Sequence, residues 1–107
     1  MAELESDIEK RLVREIKRLG GIAYKFVSPG NAGVPDRVIC FPGGSTWFVE
    51  LKTETGKLTA LQQTQIKRLR SLGQNVVVLY GRSQVDKFIY EIARPLCMAW
   101  KGIKREV

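Results

Sequence analysis

Apolar residues in the N-terminal part of the chain recur at helical spacing, at Leu4, Ile8, Leu12, Val13, Ile16 and Leu19. This spacing predicts an amphipathic α-helix with one apolar face, and Gly20-Gly21 predicts its end. Residues 22–27 are rich in β-branched and aromatic side chains and predict a short strand. Residues 28–33, with the sequence Ser-Pro-Gly-Asn-Ala-Gly, predict a loop.

The middle of the chain predicts a β-hairpin followed by a second helix. Residues 38–41 and 46–52 resemble strands and flank the turn-forming sequence Pro42-Gly43-Gly44-Ser45. Thr59 is predicted to be the N-cap of a helix that runs to about Leu72 and stops at the following glycine.

The last third of the chain adds a strand and a helix. Residues 76–80 are continuously apolar, which predicts a strand inside a sheet with both faces covered. Ser83 is predicted to cap a final helix that ends at Pro95. The element order αβββαβα, in a single domain over residues 1–107, predicts an α/β fold with a mixed sheet flanked by helices.

The composition restricts the chemistry that the chain can perform. The 107 residues include no histidine and only two cysteines, Cys40 and Cys97. Mechanisms with an imidazole base and the usual zinc sites are therefore excluded, so catalysis must use carboxylates, lysine, hydroxyls or a hard metal ion. The low cysteine content predicts a reduced, cytoplasmic protein. The acidic N-terminus and the short apolar runs predict neither a signal peptide nor a membrane span.

The net charge points to a polyanionic partner. The chain has 18 Lys+Arg against 11 Asp+Glu, a formal charge of +7. The surplus is uneven, because the predicted second helix carries Lys67, Arg68 and Arg70 with no acidic residue. For a small basic protein, nucleic acid is the commonest such partner; the alternative is a basic surface with no partner.

One acidic residue falls within the apolar face of the first helix. At about 100° per residue, Glu5 lies within the arc of Ile8, Leu12 and Ile16, and Glu9 lies at its edge. An inward carboxylate is costly unless a cation or hydrogen bonds compensate it. Glu5 is therefore a candidate functional residue. In the alternative interpretation it is exposed in the first turn, where acidic residues favour the helix dipole.

The hairpin carries a second group of polar residues. Alternation places Glu50 and Lys52 on one face of their strand and Val49 and Leu51 on the other. If the hairpin loop has an odd number of residues, Asp36 lies opposite Glu50 or Lys52; an even loop without a bulge places it on the other face. Adjacent carboxylates repel unless one is protonated or a divalent cation lies between them. Such oxygen ligands suit Mg²⁺ or Mn²⁺; the alternative is an ordinary surface Glu–Lys pair.

Two glutamines lie on the apolar face of the predicted second helix. That face is defined by Leu58, Leu61, Ile66, Leu69 and Leu72. Gln62 and Gln65 fall within it, and a glutamine that faces a core needs hydrogen-bond partners. Gln62 lies nearer the end that follows Lys52, so it is the better candidate to contact the site. In the alternative, each glutamine is bonded to water at the edge of the core.

The ordered set Glu5, Gly33-Val34-Pro35-Asp36, Glu50-Leu51-Lys52 and Gln62 resembles the PD-(D/E)xK nuclease superfamily. More closely, the chain is similar to a stand-alone VRR-NUC domain of the phage and bacterial type. The similarity rests on Gly-Val-Pro-Asp-Arg, Phe-Val-Glu-Leu-Lys and Gly-Lys-Leu-Thr-x-Leu-Gln, and it covers nearly the whole chain. It implies a restriction-endonuclease-like αβββαβ core with an additional C-terminal helix.

The resemblance implies a site for metal-dependent hydrolysis of DNA. Asp36, Glu50 and the main-chain carbonyl of Leu51 would bind Mg²⁺ or Mn²⁺. Lys52 would position the attacking water, and Gln62 would support the site. No covalent intermediate and no histidine are needed.

The resemblance also implies further site residues. Glu5 would complete the acidic cluster; Glu3 and Glu9 are neighbouring alternatives, and only the helical angle favours Glu5. The basic residues expected to contact DNA are Lys25, Arg37, Lys57, Lys67 and Arg68.

Related small nucleases act as dimers, and a symmetric dimer would cut two strands at related positions, as a Holliday-junction resolvase must. The expectation is therefore a homodimeric endonuclease acting on branched or junction DNA in phage or bacterial DNA repair. Residues 95–100 and the last helix are candidates either for the subunit contact or for the monomer's own core. A nicking, flap-cutting or non-specific nuclease of the same fold, and a catalytically silent DNA-binding module, are the alternatives.

Overall fold

Four strands and four α-helices form the fold in the computed structural model, which describes residues 4–106, with side chains described to residue 102. The elements are α1 (Glu5–Arg18), β1 (Ile22–Lys25), β2 (Arg37–Cys40), β3 (Thr46–Lys52), α2 (Ala60–Ser71), β4 (Asn75–Tyr80), α3 (Gly81–Phe88) and α4 (Arg94–Glu106). A π-helical segment, Ile89–Ala93, joins α3 to α4. No helix within residues 4–106 is both long and apolar enough to cross a bilayer.

The strands form one mixed sheet in the order β1-β2-β3-β4. β2 and β3 pair antiparallel, which confirms the predicted hairpin, whereas β3 and β4 are parallel. The predicted α/β class with flanking helices is confirmed. The position expected for residues 76–80 is wrong, because β4 lies at an edge of the sheet rather than inside it. Its apolar side chains are still required, since both α2 and α3 pack against β4.

The core lies between one face of the sheet and the layer formed by α1, α3 and the π-helical segment. Ile8, Leu12 and Ile16 of α1 have no exposed surface, as their spacing predicts. They pack with sheet residues that include Val49 and Leu51. Each such side chain contributes about 1.5–3 kcal/mol when fully buried, so this layer fixes α1 against the hairpin.

α2 lies on the other face of the sheet and is less buried than the sequence predicts. Thr59 is its N-cap, as expected. Ile66 is buried, but Leu61 and Leu72 are 58% and 69% exposed, which corrects the predicted apolar face. α2 packs on the edge strand β4. A helix against an edge buries a narrower row of side chains than a helix over the middle of a sheet.

The C-terminal helical region differs from the prediction at both ends. Ser83 is not the cap, because α3 begins at Gly81 and the Tyr80 N–H donates to Gln84 Oε1 at 2.9 Å. Pro95 does not end the helix, which continues through the π-helical segment into α4. Pro95 lies in the first turn of α4, where its missing N–H is tolerated after the wider π-helical turn.

Candidate active site

The register of the hairpin brings Asp36 and Glu50 together. The loop between β2 and β3 contains five residues, 41–45, which is an odd number. Asp36 immediately precedes β2, so it lies opposite Glu50, one position beyond the pair Arg37 and Val49. Val49 faces the core. Because side chains alternate along a strand, Glu50 faces the opposite side, next to α2.

Main-chain hydrogen bonds hold Asp36 on both sides. Its Oδ2 accepts from the Leu51 N–H at 3.0 Å. Its carbonyl oxygen accepts from the Phe26 N–H at 2.8 Å, just beyond β1. Pro35, which precedes it, is buried. The hydrogen bond from the Leu51 N–H therefore holds the Asp36 carboxylate against β3, beside Glu50.

Glu50 is a buried acid, and only one of its two carboxylate oxygens accepts a hydrogen bond from a described residue. The residue is only 1% exposed. Oε2 accepts from Gln62 Nε2 at 3.3 Å and lies 3.9 Å from Lys52 Nζ. Among the described residues, Oε1 is buried and has no hydrogen-bond partner. A buried polar atom of this kind is costly unless a ligand satisfies it, so Oε1 is a natural position for a cation.

The surroundings of Glu50 oppose its ionisation. Burial, followed by the negative charge of Asp36, raises the pKa of Glu50 from 4.5 to about 8. Lys52 lowers this pKa and Glu5 raises it, each with a smaller effect. Without a cation, Glu50 therefore keeps its proton to a higher pH than an ordinary carboxyl group does. A divalent cation between the two carboxylates would relieve their repulsion.

The N-terminal turn of α2 places Gln62 against Glu50. The Gln62 N–H donates to Thr59 Oγ1 at 3.1 Å, and the Thr59 N–H donates to Gln62 Oε1 at 2.9 Å. These two bonds form a capping box. Gln65, the other candidate, donates instead to the Ala32 carbonyl oxygen at 3.3 Å. Of the two glutamines, Gln62 is the one that bonds to Glu50.

The acidic residues of α1 are not buried at the site. Glu5 is exposed, which corrects its placement on the inward face. It is the first residue of α1 and precedes Ile8, where burial of the helix begins, so a favourable helical angle does not bury it. Its charge still raises the pKa of Glu50. Glu9 forms an ion pair with Arg37, and Glu3 lies outside the described residues.

The basic residues expected to contact DNA fall into two groups. Those that are exposed are Lys25, Lys57, Lys67 and Arg68. Arg37 differs, because its guanidinium donates to the Glu9 carboxylate and, at 3.2 Å, to the Ala23 carbonyl oxygen. Its side chain is 16% exposed. Arg37 therefore ties β2 to α1 and β1, and its contact with DNA stays a prediction.

The residues present fit a cation with oxygen ligands. Within the described part of the chain, no three Asp, Glu, Cys or His side chains are grouped closely enough to hold a metal ion. The candidate centre therefore consists of the carboxylates of Asp36 and Glu50, with the main-chain carbonyl of Leu51, the residue after Glu50, as a further candidate ligand. Mg²⁺ is often bound through one or two carboxylates while it keeps several waters. The unpartnered Glu50 Oε1 supplies a buried ligand atom for such an ion.

Comparisons with known proteins place the chain in the nuclease class. The family model of the VRR-NUC domain matches residues 4–83. A protein from Acyrthosiphon pisum secondary endosymbiont phage 1, named "Putative nuclease p44", is 52% identical over 75 residues, which cover 70% of this chain and 81% of the relative. The chain belongs to the VRR-NUC family.

Solved structures agree with this assignment. One described as "VRR_NUC domain" superposes with a TM-score of 0.78 at 35% identity and covers 82% of this chain and 96% of the other. Another, "VRR_NUC domain protein", has a TM-score of 0.63 at 22% identity, with 84% and 88% covered. At 22% identity, the second match shows a shared fold and nothing more.

The sequence assigns no site role to Thr59 or Gly33, although both lie within the motifs that carry the family resemblance. Thr59 was expected only to cap α2, although the pattern Thr-x-x-Gln from Thr59 to Gln62 is that of a capping box. Gly33 has a φ of +88°, and a Cβ there would lie 2.6 Å from the carbonyl carbon of Leu61. No sequence signal reveals this second feature, because it arises from the tertiary contact of the loop with α2.

Proposed function

We propose that the protein is a divalent-metal-dependent DNA endonuclease that hydrolyses phosphodiester bonds with Mg²⁺ or Mn²⁺. The observation that carries this proposal is the buried, unpartnered Oε1 of Glu50 beside Asp36 and Lys52. A buried carboxylate beside a second, half-buried one is costly unless a ligand or a proton compensates it. Membership of a nuclease family supports hydrolysis as that role.

Each residue of the site has a part in the proposed reaction. Asp36, Glu50 and the Leu51 carbonyl would hold the cation, which when bound supplies Lewis-acid stabilisation of charge on the phosphate oxygens. Lys52 is 14% exposed and keeps its ammonium near Glu50, where it can position the attacking water and offset phosphate charge. Gln62 holds Oε2 of Glu50 in place.

DNA is the proposed substrate because the charges outside the site favour a polyanion. The net charge is +7. Lys67 and Arg68 are exposed on α2, the helix that also carries Gln62. Lys57 is exposed in the loop that leads to this helix. The backbone of DNA would therefore meet positive side chains on α2 and on the loop that leads to it.

We further propose that the active form is a homodimer that prefers four-way or other branched DNA. Leu96 and Cys97 of α4 pack on the monomer's core, but the next residue, Met98, is 67% exposed. The apolar side chain of Met98 is therefore available for a subunit contact through α4. A two-fold dimer would present two sites related by symmetry, as paired incisions across a junction require.

The test is cleavage of labelled four-way junction, flap, fork, duplex and single-stranded DNA with Mg²⁺ or Mn²⁺. We expect wild-type protein to cut, with the junction cut best, and Asp36→Asn and Glu50→Gln to lose at least about 100-fold in rate. Glu91→Gln is the matched control, because Glu91 is an exposed acid on the π-helical segment. Metal-independent cleavage, or full activity of the two site variants, would refute the assignment.

A DNA-binding module without catalysis is the second candidate. It is favoured by the lack of a third acidic side chain grouped with Asp36 and Glu50 among the side chains described, those of residues 4–102. Calorimetry separates the two functions: a module of this kind would bind DNA but take up no divalent cation.

A further inference from the structure

The capping box of α2 fixes the orientation of the Gln62 side-chain amide. The Thr59 N–H is a donor and needs the carbonyl oxygen Oε1, which lies at 2.9 Å. Glu50 Oε2 is an acceptor and needs the amide nitrogen Nε2, which lies at 3.3 Å. A flipped amide would place donor against donor at Thr59 and oxygen against oxygen at Glu50. The two partners therefore allow only one orientation.

Thr59 also holds the main chain of Gln62. Its Oγ1 accepts from the Gln62 N–H at 3.1 Å, so Gln62 is attached to Thr59 through both backbone and side chain. Gln62 is half-buried between Thr59 and Glu50. Because Gln62 occupies Oε2 of Glu50, the carboxylate keeps Oε1 as its unpartnered atom among the described residues.

We propose that Thr59 is a positioning residue for the acidic site: it orients Gln62 so that Gln62 supports Oε2 of Glu50 and leaves Oε1 available to a divalent cation. This inference rests on the proposed function, since it requires that Glu50 binds the cation. Thr59 itself touches neither the cation nor DNA in this role. Residues that hold a metal ligand in place change metal affinity by about 10–100-fold when removed. Because Thr59 acts through one intervening side chain, that of Gln62, we expect its removal to weaken metal affinity by the lower end of this range, about 10-fold.

The test compares three substitutions at two threonines of the same helix region. Thr59→Val removes the hydroxyl at constant shape, and Thr59→Ser retains it. Thr64→Val is the matched control, because Thr64 Oγ1 donates to the Ala60 carbonyl oxygen at 3.0 Å on an exposed part of α2. Mn²⁺ affinity is measured by calorimetry, and the Gln62 side-chain amide signals are recorded by NMR without metal.

We expect Thr59→Val to weaken Mn²⁺ binding about 10-fold and to shift the Gln62 amide signals. Thr59→Ser should restore both, and Thr64→Val should change neither. In a Gln62→Ala background, Thr59→Val should cause no further loss of affinity, because the effect passes through Gln62. Titrations are run below the melting temperature of every variant.

Three results overturn the inference in distinguishable ways. If Thr59→Val lowers the melting temperature but binds Mn²⁺ as tightly as wild type, Thr59 is only a helix cap and the proposed nuclease function is unaffected. An additive loss of affinity in the Gln62→Ala background would also exclude action through Gln62. If the wild-type protein binds no divalent cation, the proposed function fails together with the inference.

Discussion

Ionisation of Glu50 costs folding free energy when no cation is present. Its pKa is raised from 4.5 to about 8, first by burial and then by Asp36. Between these values the folded protein keeps a proton that the unfolded chain has released. The free energy of unfolding therefore falls as the pH rises through this window, by up to about 1.4 kcal/mol per pH unit.

The perturbation that isolates this effect is Glu50→Gln. The variant keeps the shape of the side chain and an acceptor for Gln62 but cannot ionise. We expect the stability of wild type, relative to the variant, to fall by up to about 1.4 kcal/mol per pH unit from about pH 5 to about pH 8. The assay is urea unfolding in EDTA. The absence of histidine keeps other titrations in this window few.

The unfolding experiment includes a control variant and a second set of measurements with Mg²⁺. Glu91→Gln should follow wild type, because Glu91 is exposed on the π-helical segment. Adding Mg²⁺ at about pH 8 to about 100 times its Kd should stabilise wild type by about 2.7 kcal/mol and the Glu50→Gln variant much less. Identical pH dependence of wild type and Glu50→Gln would refute the reasoning, since it would mean that Glu50 is not desolvated beside Asp36.

Three further predictions test other parts of the site. Asp36→Asn should lower the pKa of Glu50 by removing a neighbouring negative charge; an unchanged ¹³C NMR titration of the Glu50 carboxyl would contradict this. Gly33→Ala should destabilise the protein by about 2 kcal/mol in urea unfolding, because the new Cβ clashes with α2 at a positive φ; wild-type stability would exclude the close approach. Lys67→Gln with Arg68→Gln should reduce the salt dependence of DNA binding by about two units of log–log slope in anisotropy titrations; an unchanged slope would exclude these residues as phosphate contacts.

The sequence predicts the fold well where the spacing of apolar residues matches the face that is buried in the structure. β3 begins at Thr46 and ends at Lys52 as predicted, because strand-forming residues are bounded by a clear turn. The buried face of α1 follows directly from its spacing. The shared face of Asp36 and Glu50 depended on one unknown, the length of the hairpin loop, which the register of the strands supplies.

The errors share a physical cause, which is that local pattern carries no information about distant partners. Glu5 has the angle of a buried residue but lies at the helix end, ahead of the packed turns. In the same way, local pattern does not reveal that Arg37 of β2 pairs with Glu9 of α1. Pro95 reads as a stop signal, although a π-helical segment ahead of it allows the helix to continue. The apolar run in β4 does not distinguish an edge strand covered by helices from an inner strand.

The most direct measurement of the central claim is anomalous scattering from a crystal soaked in Mn²⁺. We expect a single strong peak within about 2.5 Å of Glu50 Oε1 and of an Asp36 carboxylate oxygen, and its loss in Glu50→Gln crystals. A peak at other residues, or none at this pair at saturating Mn²⁺, would contradict it.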